Sequence, residues 1–143
     1  MAEGTAPVVI AVTLDTSFYI GALNSRGQGS RVLAMARAGE IRIDISDAIL
    51  AETIRVLRER FAWDGYRLHE ISQSLLRIAN RVAPQESLNV VKEDPPDNRI
   101  LEFAIAARSD YILTWDKDLL RLGEYAGIRI LTPVQFIERG RAR

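Results

Sequence analysis

Apolar residues in this chain follow two rhythms. VVIAVTL (8–14) is an unbroken run rich in β-branched residues, the pattern of a strand covered on both faces. IRIDI (41–45), LNVV (88–91), YILT (111–114) and IRILT (128–132) read as further strands. Between them the spacing turns helical. A short helix follows Asp15, and SRVLAMARAG (30–39) forms another that Gly39 closes. Ser46 caps a helix running to about Phe61, and a further helix covers roughly Gly65 to Arg81. KEDPPD (92–97) is a loop by its prolines. Asp97 caps NRILEFAIAAR, whose Ile100, Leu101, Ala104 and Ile105 form one face. DKDLLRL is a helical turn, and Pro133 opens a closing helix, VQFIE. Strands alternating with helices predict an α/β fold of three layers, a central mostly parallel sheet with helices on both faces. The pattern does not supply the strand order. No repeat, low-complexity tract or linker interrupts it, so residues 1–143 are expected to form one domain.

Composition narrows the chemistry. The 143 residues are 48% hydrophobic and 27% charged, which is globular usage. No apolar run reaches the ~20 residues of a membrane span. The start, MAEGTAPVVIAV, lacks a basic segment ahead of its apolar stretch, so no secretory signal is expected and a cytoplasmic location is. The absence of cysteine excludes disulfides, thiolate catalysis and Cys-based zinc sites. The single histidine, His69, excludes a His-rich metal site; it lies on a polar helix face beside Arg67 and Glu70 and receives no catalytic role. Net charge is zero, yet the cations are 17 Arg against only Lys92 and Lys117, and Arg is the better bidentate phosphate ligand. If four acids are gathered in one pocket, the remaining surface is net basic, so a nucleic-acid partner is permitted without being required.

The acids are the informative residues. In an open parallel sheet, ligands bind outside the carboxyl ends of the strands. Asp15, Asp97 and Asp116 follow the strands ending near 14, 91 and 114 and therefore fall on that edge. Each also precedes a helix, and N-capping explains any one of them alone. Capping cannot explain Glu52, inside a helix. With Ile49 at i−3 and Val56 at i+4 it is expected on the inward, apolar face, where a carboxylate needs a metal or an arginine such as Arg55 or Arg99. Two carboxylates about 5 Å apart repel by roughly 3 kcal/mol at an effective dielectric near 20. Four of them together require protonation or a cation. An all-oxygen set selects a hard ion, Mg²⁺ or Mn²⁺, and such ions activate water for phosphodiester hydrolysis. Asp47 reads as a first-turn helix acid. Arg55, Arg58, Arg60, Arg67, Arg77 and Arg81 are candidates for a substrate path, although helix geometry cannot put all of them on one face.

LDTSFYI, SDAILAETIRVL, DPPDNRILEFAIAARSDYILTWDKDLL and IRILTPVQFI resemble, in order, the motifs of PIN-domain nucleases, over a core of about 8–137. The third block is especially similar to the VapC-like toxins of toxin–antitoxin pairs. The resemblance implies a three-layer α/β/α PIN-like fold. It implies that Asp15, Glu52, Asp97 and Asp116 are catalytic and hold one or two Mg²⁺ or Mn²⁺ ions. Thr114 and Ser17 would support the site; Ser17 stands where the family often has Asn. Asp118 either binds the metal through water or simply starts its helix. Trp115 replaces what is often a small residue, and two roles are open to it: stacking on a base, or covering the sheet edge. Arg55, Arg99 and Trp115 are the candidate substrate contacts.

The function expected on this basis is hydrolysis of RNA by a metal-dependent toxin nuclease, with a homodimer, a separately encoded antitoxin as partner and no membrane association. Two other readings stand beside it. One is a PIN-like module that binds RNA or protein without cleaving. The other is a receiver-type signalling domain, which usually has adjacent acids after its first strand and a lysine after its last. Here Asp15 stands alone and the last strand runs into Pro133.

Overall fold

The computed structural model describes residues 9–83 and 96–141. Its centre is β1 (Ile10–Leu14), whose last four residues are buried as the continuous apolar run predicts. β1 pairs in parallel with β2 (Ile41–Ile45) on one side and β4 (Tyr111–Leu113) on the other. The sheet runs β3-β2-β1-β4-β6-β5, with β3 Ala79–Arg81, β5 Glu124–Tyr125 and β6 Ile128–Leu131. All described pairings are parallel except β5 with β6. Between β1 and β2 lie α1 (Thr16–Leu23) and α2 (Gln28–Arg37), and between β2 and β3 lie α3 (Asp47–Phe61) and α4 (Gly65–Ile78). α5 (Pro96–Ala107) leads into β4, α6 (Lys117–Leu122) follows it, and α7 (Pro133–Arg141) follows β6. The chain is thus α/β, with helices flanking a mostly parallel sheet.

Strand order carries the functional information that the sequence pattern lacked. From β1 the chain winds outward to β2 and β3, then returns across the sheet through α5 to β4. Right-handed crossovers place α1–α4 on one face and α5 on the other. The reversal leaves a switch point between β1 and β4, where doubly wound sheets open a crevice at their carboxyl edge.

Several helix ends follow the expected capping chemistry. The Ser46 hydroxyl accepts from the Ile49 amide at 3.0 Å. After α2, Gly39 sits at φ +78°, and the Glu40 and Gly39 amides bond back to Met35 and Ala36. Other expectations need correction. The fourth helix stops at Ile78 instead of running to Arg81, because Ala79–Arg81 turn extended and pair with β2. Asp97 lies inside the first turn of α5 instead of preceding it, since the helix already begins at Pro96. Ile105 is exposed; the covered face of α5 is Ile100, Leu101, Ala104 and Ala107, and Ile105 lies a further 100° around the helix than Ala104. The strand expected at 88–91 and most of the loop at 92–97 lie outside the described residues.

One polar cluster sits within this apolar frame. Thr13, Asp44 and Asn80 are register partners across β1, β2 and β3. Asp44 is fully buried and accepts from four groups: Arg42 Nε at 2.8 Å, Arg42 Nη2 at 3.2 Å, Asn80 Nδ2 at 2.9 Å and Ser109 Oγ at 2.7 Å. Because Ser109 gives its proton to Asp44, Thr13 donates to Ser109 at 2.6 Å. Arg42 Nη2 also donates to the Ala107 carbonyl, and Asp110 exchanges bonds with the backbone of Ala11. The carboxylate thereby joins three strands to the C-terminal end of α5. Asp44→Ala would leave buried donors without an acceptor. It should cost about 3 kcal/mol, at the low end for breaking a buried pair because Arg42 keeps solvent contact. A lowered urea midpoint at unchanged slope is the expected readout.

Candidate active site

The crevice between β1 and β4 is built by two aspartates and the threonine between them. Asp15 follows β1 and caps α1, its Oδ1 accepting from the Phe18 amide at 2.8 Å. Its Oδ2 accepts from the Thr114 hydroxyl at 2.6 Å. The same Thr114 oxygen accepts from the Asp116 amide at 2.9 Å, and Thr114 is fully buried. Asp116 caps α6, with Oδ1 taking the amides of Asp118 and Leu119 at 2.7 and 3.2 Å. The capping explanation therefore holds for Asp15 and Asp116. It does not account for the bond between Asp15 and Thr114, which ties the loop after β4 to the loop after β1 across 99 residues of chain.

The other candidates fall less neatly. Glu52 is not on the inward face. Its side chain is 47% exposed and receives Arg55 Nε at 3.1 Å and Nη2 at 2.6 Å. The buried stripe of α3 is Ile49, Thr53 and Leu57, so Glu52 lies at its margin, beside a half-buried Val56. Arg55 also reaches Glu59 at 2.8 Å, and its guanidinium holds the Glu52 carboxyl below the usual carboxylate range. Of the two arginines considered as partners for Glu52, Arg55 is the one that pairs with it. Among the described residues no three carboxylates converge. The side chain of Asp97 lies outside them, though the start of α5 falls on the same sheet edge as Asp15 and Asp116. Asp118, exposed in the first turn of α6, pairs with Arg121 at 3.0 Å. Ser17 is exposed in the first turn of α1, and Arg99 is exposed on α5.

Trp115 stacks on Phe18, with centroids 4.7 Å apart and planes 15° from parallel. Of the arginines considered for a substrate path, Arg81 is paired with Asp47 and Arg67 lies over the Trp63 ring, so local partners hold them alongside Arg55. Sequence reasoning passed over Tyr19. Its ring is fully buried and its hydroxyl has no hydrogen-bond partner among the described residues. The signal was available in SFYIGAL, where two aromatics follow the acid within one helical turn.

The donors fit a hard divalent ion: they are carboxylate oxygens with hydroxyl support, without sulfur or imidazole. An acidic site at the switch point of a doubly wound sheet defines the class of domain. A family model of the PIN domain matches residues 11–118, and the chain belongs to the PIN domain family. No curated protein matches it. PIN domains are generally nucleases that use divalent metals. No helix among the described residues is long and apolar enough to cross a membrane.

Burial raises the Tyr19 phenol far above its ordinary value, and the charges of Asp44 and Asp15 add to the shift. In the unfolded chain the phenol ionises near pH 10, while in the folded one it stays protonated. Stability from this group is complete below about pH 10 and falls by about 1.4 kcal/mol per pH unit above it. Tyr19→Phe should flatten that alkaline slope in a series of urea titrations and leave stability at neutral pH unchanged or slightly higher.

Proposed function

We propose that this chain is a Mg²⁺- or Mn²⁺-dependent ribonuclease and the toxin of a toxin–antitoxin pair. The observation that carries the reading is the bridge from Asp15 through Thr114 to Asp116 at the switch point, which fixes two acids on one rim of the sheet. Asp15, Asp97 and Asp116 would hold the ion, with Glu52 joining them directly or through water. When bound, the ion supplies Lewis acidity at the phosphate and lowers the pKa of the attacking water. Thr114 keeps the Asp15 carboxylate turned into the crevice, and Asp15 and Asp116 orient the water and take up its proton. Ser17 and Asp118 line the approach. Arg55 and Arg99 contact phosphates of the RNA.

The purified protein is expected to cleave RNA with Mg²⁺ or Mn²⁺ and to stop on chelation. Asp15→Asn should lower the rate on the order of a hundredfold or more, because several kcal/mol of charge stabilisation depend on the ion. Equal rates in the two proteins would remove Asp15 from the mechanism.

The same reading brings a homodimer, a cytoplasmic location and an antitoxin protein encoded separately. Growth arrest on expression, relieved by Asp97→Asn, is the expected phenotype. Arrest that persists in the variant would separate toxicity from this site. A PIN-like module that binds without cleaving is the second reading. The Glu52–Arg55 ion pair favours it, because it occupies one acid of the set. Cleavage by the wild-type protein decides between the two.

A further inference from the structure

Trp115 stands in sequence directly between two of the three residues that form the bridge, Thr114 and Asp116. It is 43% exposed, whereas the other tryptophan, Trp63, is buried in a separate cluster with Leu57 and Leu68. An exposed indole at this position is held by a seat made for it. Phe18, itself fully buried, supports the ring by stacking. Two glycines inside helices clear the space beside it. A Cβ at Gly21 in α1 would lie 3.0 Å from the ring, and one at Gly29 in α2 would lie 2.7 Å from it. Glycine in a helix interior costs about 1 kcal/mol relative to alanine. Gly21 is such a position and Gly29 lies in the first turn of α2, so at Gly21 the sequence accommodates the indole at the expense of helix propensity.

A cover for the sheet edge would account for the stacked and seated side of the ring. It does not account for a large aromatic surface left to solvent beside two acids. Rigid aromatic surfaces of this kind bind nucleobases, because every base has a π-face and the immobilised ring has little entropy left to lose. We propose that Trp115 is a stacking platform for one unpaired base of the nucleic acid, adjacent to the phosphate that would be engaged through a divalent ion at Asp15 and Asp116. The proposal rests on the nuclease reading for its ligand. It adds that the base, as well as the backbone, is gripped at this site, and that the grip tolerates any base identity.

The test uses the full chain with Ca²⁺ in place of Mg²⁺ to suppress cleavage, and the emission of Trp115 taken as the difference between wild-type and Trp115→Phe spectra. Trp63, buried beneath Arg67, contributes a constant background. Single-stranded oligonucleotides of each base should quench the difference signal to a similar extent, and an abasic oligomer of equal length should not. Trp115→Leu should weaken binding on the order of tenfold, while Trp115→Phe, which keeps an aromatic face, should restore most of it. Thermal melts of both variants verify that they fold. Equal quenching by the abasic oligomer, or full affinity in a folded Trp115→Leu, overturns the platform even if the protein cleaves RNA. Conversely, base-dependent quenching together with unchanged cleavage in Asp15→Asn would retain the platform and sink the acid mechanism. A protein that binds none of the oligonucleotides loses both.

Discussion

The parallel pairing of β1 with both β2 and β4 is the constraint on which the rest of this molecule depends. It makes a residue from the start of the chain a neighbour of one a hundred positions later. It also fixes which edge of the sheet receives the loops that matter. The chain winds from β1 to β2 on one side and from β4 to β6 on the other, so the strand order reverses between β1 and β4. The bond from Thr114 to Asp15 is available only because those two strands are adjacent and point the same way. The apolar run of β1 carries no catalytic group, but it positions every group that does.

The crevice is supported from beneath by buried groups of two kinds. On one face, Asp44 gathers donors from β2, β3 and the end of α5, and so sets where α5 crosses the sheet. On the other, α1 contributes Phe18 and Tyr19 shortly after the acid that caps it, so the start of that helix is anchored by two fully buried rings. An acid placed on a short helix is held as firmly as the helix is. These two anchors make the positions of Asp15 and of the C-terminal end of α5 properties of the core.

The architecture was legible from hydrophobic rhythm because long apolar strands and capped helices are local features. Ser46, Gly39 and Pro133 each mark their boundary in the structure as they do in the sequence. The Ala79–Arg81 strand was not legible. Its extended form depends on pairing with β2 and on the amide of Asn80 reaching a carboxylate 36 residues away, and no local pattern records that. At the candidate site, the strand contexts of Asp15 and Asp116 were readable: each follows its strand, and Thr114 bridges them. The side-chain direction of Glu52 was not. Arg55 at i+3 captures it while also reaching Glu59 at i+7, and helical spacing alone cannot rank such a pair against a neighbouring Ile and Val.

β3 has only three residues, and its backbone rungs to β2 would by themselves resist sliding weakly. Asn80 alters that balance. A slip of one residue would carry its amide to the opposite face and leave the buried carboxylate of Asp44 one donor short, while Ala79 or Arg81 arrived in its place. This short parallel strand is therefore indexed by charge instead of length. A buried acid acts as a one-position key for the outermost parallel strand and excludes its misalignments during folding, a task that three residues of mixed polarity could not accomplish through hydrophobic matching.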